Sequence, residues 1–255
     1  MVASVPQDSV ATDFHATTPW TITVPLWVPG FKGQFVIGDV EMEGEPEDGE
    51  PGSGIFKKLF GSSIGIDYFF VGRVRYNYDT WYGEIDSYGG QVGGSVAFKA
   101  LEHEIVSGSM RAILSRAVAG YLLRANANHG RGVRVVRFYM GVRWTATRVR
   151  AAFRNSVVSV DRTISWFDPL LGTEVPISLG RKWLVRFRAD LGGFGINSRF
   201  VWSLAADVHF RPSLLIDLAA GWNVINVYFR GEVKEEKVTL DYLLVGPQVS
   251  LGFRL

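Results

Sequence analysis

Residues 136–146 read Val-Arg-Phe-Tyr-Met-Gly-Val-Arg-Trp-Thr-Ala. The even positions are Val136, Phe138, Met140, Val142, Trp144 and Ala146; the odd ones are Arg137, Tyr139, Gly141, Arg143 and Thr145. Successive side chains of a strand point to opposite faces, so as a strand this segment has one apolar face and one face carrying arginines. The alternation recurs. Trp202, Leu204, Ala206, Val208 and Phe210 oppose Ser203, Asp207 and His209, and Trp183, Val185, Phe187 and Ala189 oppose Arg186, Arg188 and Asp190. Ile66, Tyr68, Phe70, Val74 and Tyr76 oppose Asp67, Arg73 and Arg75, while Leu218, Ala220, Trp222 and Val224 oppose Asp217 and Asn223.

Such strands need an apolar medium on one side and a polar one on the other. A soluble sandwich supplies these with a partner sheet and water, a membrane barrel with lipid outside and a polar interior. Sandwich strands average ~5–6 residues, whereas membrane-crossing strands need ~9–11. The runs here match the longer figure, and several begin or end on Trp or Tyr, as interfacial girdles do. The pattern predicts an all-β, up-and-down antiparallel transmembrane barrel. The soluble alternative is a barrel with inverted alternation, whose apolar face surrounds a lipophilic cargo.

Short turns fall at Asn77–Thr80, Gly180–Lys182 and Phe210–Ser213, and longer polar links at Glu41–Gly61, Arg154–Arg162, Gly192–Ser198 and Arg230–Lys237. Long and short connections alternate, as in barrels with short periplasmic turns and long outer loops. Taking Trp20–Val40 as one strand bent at Pro29-Gly30 gives about ten strands with both termini on the periplasmic side; eight and twelve stay open. Residues 1–19 read as a flexible lead and 20–255 as one barrel domain. Arg111–Ala127 fits either an amphipathic helix or a strand with a register-changing bulge. Ile55–Phe60 reads as a helical turn within the first long link.

Composition narrows the function classes. Lys+Arg total 27 against Asp+Glu 25, a net charge of +2, without the concentrated positive field of a nucleic-acid binder. The absence of cysteine excludes thiolate metal sites, thiol nucleophiles and disulfides. Mean hydropathy is +0.11, yet no run approaches the ~18–20 apolar residues of a membrane helix. The amino end lacks the basic and apolar regions of a secretory signal, so an envelope chain of this sequence is expected to be a trimmed one. No metal or cofactor is expected.

From Trp166 onward the order of motifs is specific: Asp168-Pro169-Leu170-Leu171-Gly172, then Asp190-Leu191-Gly192-Gly193-Phe194-Gly195, then Gly246-Pro247 leading into Leu251-Gly252-Phe253-Arg254-Leu255. In these features the chain resembles a family of Gram-negative outer-membrane β-barrels with D-P-x-x-G and D-x-G-G-F-G segments and a closing G-P strand. The motifs cover about a third of the chain. It departs from the usual barrel ending in that its last residue is Leu255, with Phe253 two places before it. The resemblance implies an outer-membrane location, a porin-like architecture and lipid contact, and carries no reaction with it.

The candidate site is the inward charge set Arg73, Arg75, Glu84, Asp86, Arg137, Arg143, Arg186, Arg188, Asp190, Asp207, His209 and Asp217. Ten strands ~4.8 Å apart at a ~40° tilt enclose a backbone diameter of about 20 Å, most of it consumed by side chains. Opposed charges then meet and pair, giving a rigid plug or a narrow, charge-lined passive channel for small solutes. His209 with Asp207 and Ser203 on one face invites a lipid-hydrolase reading, although no nucleophile elbow is present. Arg148, Arg150, Arg154 and Arg162 flank a link where guanidinium groups could grip phosphates of lipopolysaccharide. The acidic link Glu41, Glu43, Glu45, Glu47, Asp48 and Glu50 lacks the ordered spacing of a calcium loop. Expected partners are the bilayer, lipopolysaccharide and other envelope proteins; nucleic acid is not one.

Overall fold

The computed structural model describes residues 19–27, 29–37, 40–44, 66–94, 98–100, 105–124, 135–153, 159–180, 182–233 and 236–255. The lead through Thr18, the turn at Ile55–Phe60, Arg154 and the acidic link beyond Gly44 lie outside them. The strands are β1 (Trp20–Trp27), β2 (Gly30–Ile37), β3 (Val40–Gly44), β4 (Ile66–Tyr78), β5 (Trp81–Gly94), β6 (Phe98–Ala100), β7 (Ile105–Arg124), β8 (Val135–Phe153), β9 (Ser159–Ser178), β10 (Trp183–Gly192), β11 (Ser198–Phe210), β12 (Ile216–Val233) and β13 (Glu236–Arg254). Consecutive wall strands pair antiparallel in the order β1-β4-β5-β7-β8-β9-β10-β11-β12-β13, and β1 returns to β13, so ten strands close a barrel. Closure satisfies the backbone groups of the wall, which is what lipid demands of a sheet.

β1 and β2 follow one another along the same edge of β13. Trp27 pairs with Gln248 and Gly30 with Val245, so both segments keep a single register along β13. They part on the other edge. β1 pairs with β4 only from Trp20↔Tyr76 to Thr23↔Arg73, whereas β2 takes up β3, which in turn pairs β6.

The outward face is apolar. Phe138, Met140 and Val142 are 52%, 63% and 48% exposed, while Arg137 and Arg143 between them are 4% and 3% exposed. Val74, Ile85, Phe187, Leu204, Leu218 and Leu251 point outward likewise. The inverted alternation of a soluble cargo barrel is thereby overturned for these strands. From Phe138 to Ala146 the apolar face covers about 26 Å of strand, or about 20 Å along the axis at a ~40° tilt, close to the ~25 Å apolar band of membrane barrels. At the short-turn end, aromatic pairs ring the wall: Trp20 with Tyr76 at 4.6 Å, Trp81 with Tyr121 at 5.0 Å and Trp183 with Phe210 at 4.7 Å between ring centroids. This is a girdle at one interface.

Two expectations change. Arg111–Ala127 holds no helix among its described residues. Arg111 to Arg124 lies in β7, unbroken in register against both neighbours from Ser107, so no bulge occurs there; Arg116 points inward and Arg111 outward. The link Arg230–Lys237 is largely strand: β12 and β13 pair to Val233↔Glu236. β8 and β9 likewise extend to Phe153 and back to Ser159.

Candidate functional site

The barrel interior has three levels. In the middle, strand register sets opposite charges side by side: Arg73 faces Asp86 and Arg75 faces Glu84, Asp86 faces Arg116, Arg137 faces Glu174, and Arg186 faces Asp207. Cross-strand pairs of opposite sign are favourable neighbours. Longer reaches tie opposite walls. Arg75 of β4 donates two bonds to Glu174 of β9, at 3.0 and 2.7 Å, while its Nε reaches Glu84 at 2.7 Å. Arg116 of β7 contacts Glu84 at 2.7 Å, Asp86 at 2.7 Å and Asp190 of β10 at 3.0 Å. Arg188 of β10 lies 3.4 Å from Glu84 of β5, and Arg137 and Arg143 pair with Glu174 and Asp190.

Tyrosines complete the network. Tyr88 Oη accepts from Arg73 at 2.8 Å and from Arg188 at 3.3 Å. Arg75 and Arg116 sit over the rings of Tyr82 and Tyr139, 5.0 and 5.6 Å from the centroids, a cation–π arrangement. Room for these rings comes from glycine on the next strand: a Cβ on Gly120 would lie 2.1 Å from Tyr82, and one on Gly172 2.3 Å from Tyr139. The space left beside Asp86, Arg116, Arg143 and Arg188 is about 10 Å³, barely room for one water. Desolvating such charges costs several kcal/mol each, so the network closes the lumen without itself being a large source of stability.

Above it, toward the extended strands, the interior is apolar. Trp27, Leu114, Val149, Ile164, Val201, Val227, Phe229, Leu240 and Leu244 are buried as one cluster. The expectation of a polar interior holds only for the lower levels. Trp166 Nε1 donates to Asp168 Oδ2 at 2.8 Å, and Asp168 Oδ1 accepts the Ser198 amide at 2.9 Å. With Gly193 N bonded to Pro169 O at 3.1 Å, the D-P-x-x-G segment anchors the turn formed by the D-x-G-G-F-G segment.

Below the network, at the short-turn end, lies a cavity of about 60 Å³ whose lining includes Arg73, Arg75, Arg137, Arg186, His209, Arg211, Asp217 and Arg254. His209 Nδ1 bonds Asp217 Oδ1 at 2.7 Å, and Arg211 Nε donates to Asp217 Oδ2 at 2.8 Å. Asp207 pairs instead with Arg186 at 3.1 Å, and Ser203 hydrogen-bonds Asp190. The Ser203, Asp207 and His209 side chains of the hydrolase reading therefore serve different partners.

The inward set is brought together with additions that the sequence reading missed: Arg116, Asp168, Glu174, Arg211 and Arg254 are also buried or half-buried inward. The rim arginines separate. Arg148 makes a two-point pair with Asp161 at 2.8 and 2.7 Å, with Arg150 at 3.3 Å from the same carboxylate, all on the outer wall. Arg162 takes the opposite face of β9. The Arg148 hydrogen bonds draw the Asp161 carboxyl down to about 2.

A lipid-facing apolar belt around an ion-paired interior defines a transmembrane β-barrel of the outer-membrane type. No family model and no curated protein matches the chain. Among solved structures it is similar to Neisserial surface protein A (12% identity, TM-score 0.33, covering 93% of this chain and 98% of that one). It is similar also to the outer membrane protein OprG from Pseudomonas aeruginosa (12%, TM-score 0.34, 94% and 99%). A third likeness is to the translocator domain of the autotransporter NalP from Neisseria meningitidis (13%, TM-score 0.38, 96% and 91%).

Proposed function

We propose that the protein is a closed, non-conducting structural barrel of a Gram-negative outer membrane, with the short-turn rim in the periplasm and the extended strands outward. The observation that carries this reading is the pair of bridges across the lumen, Arg75–Glu174 and Arg116–Asp190. A passive channel would require both to part in the resting state. On this reading the outer wall meets lipid, and Arg148 and Arg150 stand at the outward rim where glycolipid phosphates lie. The test is conductance of the full chain in planar bilayers. Wild type is expected to be silent, and so is Arg116→Ala, because the Arg75–Glu174 bridge and the apolar level above it still close the lumen; discrete wild-type steps would reject the closed barrel.

A further inference from the structure

Most of the interior arginines spend their donors on carboxylates, but the short-turn mouth does not balance in this way. There Arg211 and Arg254 flank one carboxylate, Asp217, which is already shared with His209. Arg254 is 7% exposed; its backbone amide bonds Leu215 O, while its guanidinium, near Asp217, makes no hydrogen bond or ion pair with the described residues. His209 is 5% exposed, and its Nε2 has no hydrogen-bond partner. Buried polar atoms elsewhere in the barrel, such as Thr145 Oγ1 and Ser198 Oγ, share this lack, but His209 lines a cavity with room for a ligand to supply the missing bond. The cavity is about 60 Å³, several times the ~10–15 Å³ that seats a water and of the order of one tetrahedral oxyanion.

The donor set names the ligand class. Guanidinium forks present paired N–H groups matched to phosphate oxygens, and a cleft lined by one sign of charge concentrates the counter-ion. With its Nδ1–H given to Asp217, the His209 imidazole offers a lone pair at Nε2, the tautomer being fixed by the carboxylate. A fully deprotonated oxyanion has nothing to donate to that nitrogen. A phosphate or phosphomonoester retaining one proton does.

We propose that the short-turn mouth binds a phosphoryl group bearing an ionisable proton, with Arg254 and Arg211 gripping its oxygens and His209 Nε2 accepting its P–OH. This site lies below the lumen plug and does not depend on whether the barrel conducts. The ligand is either a free phosphate or a phosphomonoester headgroup of a lipid, and one experiment separates them.

The full chain in detergent is titrated calorimetrically with inorganic phosphate, with sulfate and with short-chain phosphatidic acid at constant ionic strength. Phosphate is expected to bind one site more tightly than sulfate, and Arg254→Gln to weaken it by about tenfold or more, the worth of a charge-assisted bond. His209→Gln is expected to bring phosphate down toward sulfate. Arg254-dependent binding of phosphatidic acid without inorganic phosphate keeps the site and assigns the headgroup as its source. Absence of both ligands, or binding indifferent to Arg254→Gln, overturns the proposal, and equal affinity for sulfate overturns the role of His209. Heat-modifiable gel mobility reports folding of each variant. Should Arg254→Gln fail to fold, Arg254→Lys keeps the charge but loses the fork, and must still weaken phosphate.

Discussion

Arg75 on β4 and Glu174 on β9 meet across the barrel as a two-point pair, Nη1 to Oε1 at 3.0 Å and Nη2 to Oε2 at 2.7 Å. Glu174 is fully buried, and Arg137 shares its carboxylate. Glu174→Gln therefore removes the carboxylate that Arg137 pairs with and leaves Arg75 with Glu84 alone, in a dry interior, and the expected loss of stability is about 3–5 kcal/mol. Removing both partners together, Arg75→Met with Glu174→Met, should cost clearly less than the sum of the single changes, with a coupling of about 0.5–3 kcal/mol. Urea unfolding in lipid vesicles measures both, and strict additivity would show that the bridge is not formed.

The outward belt makes a depth-dependent prediction. Val142 faces out within the apolar band, whereas Thr163 lies toward the far rim near the exposed Asp161. Val142→Arg should cost about 2–4 kcal/mol in a bilayer and Thr163→Arg no more than about 1 kcal/mol. Equal costs at the two positions would be incompatible with a lipid-facing wall.

The turn between β10 and β11 separates two glycines of similar backbone conformation. Gly193 has φ +86° and a Cβ there would lie 2.4 Å from Ser198 Oγ and 2.8 Å from the Ser198 carbonyl oxygen; Gly195 has φ +74° and open space around it. Gly195→Ala should cost only the left-handed penalty of about 1–2 kcal/mol. Gly193→Ala adds a clash with backbone and should destabilise more, read as a lower urea midpoint.

At the far rim, the Asp161 carboxyl sits at about 2 against an ordinary 3.8 because Arg148 donates hydrogen bonds to the ionised form. A depressed carboxyl favours the folded pair wherever it is ionised. The contribution of the pair is thus complete above about pH 4 and fades as the pH falls through 2. Carboxyl NMR of Asp161 should follow this course, and Arg148→Gln should move its midpoint upward. A midpoint unchanged by Arg148→Gln would remove the cause given for the shift.

The alternation at Val136–Ala146 was enough to orient the wall because arginines and bulky apolar residues occupy opposite parities there. The same alternation marks Arg73, Arg75, Arg137, Arg143, Arg186 and Arg188 as inward, and the segments on either side of Pro29 keep one register along β13. Arg116 escaped because small outward residues, Ala117 and Ala119, blur the period, so that the arginine spacing mimics a helix. The apolar upper interior escaped for a related reason. Ile225, Val227 and Phe229 face in while Val224 and Tyr228 face out, and a strand apolar on both faces shows no period of two. Glu174 stands alone among apolar and small neighbours, and only the register against Arg137 reveals its partners.

The short joint between β1 and β4 has a mechanical consequence. Among the described residues, four pairs hold that edge, from Trp20 to Thr23, against nineteen between β7 and β8, and Pro25 has no amide hydrogen to offer just beyond it. Along its other side the same stretch of chain stays zipped to β13 through β1 and then β2. A cylinder put under tension fractures where the fewest bonds cross. This one would split beside β4, with the first strand peeling away still fastened to the last.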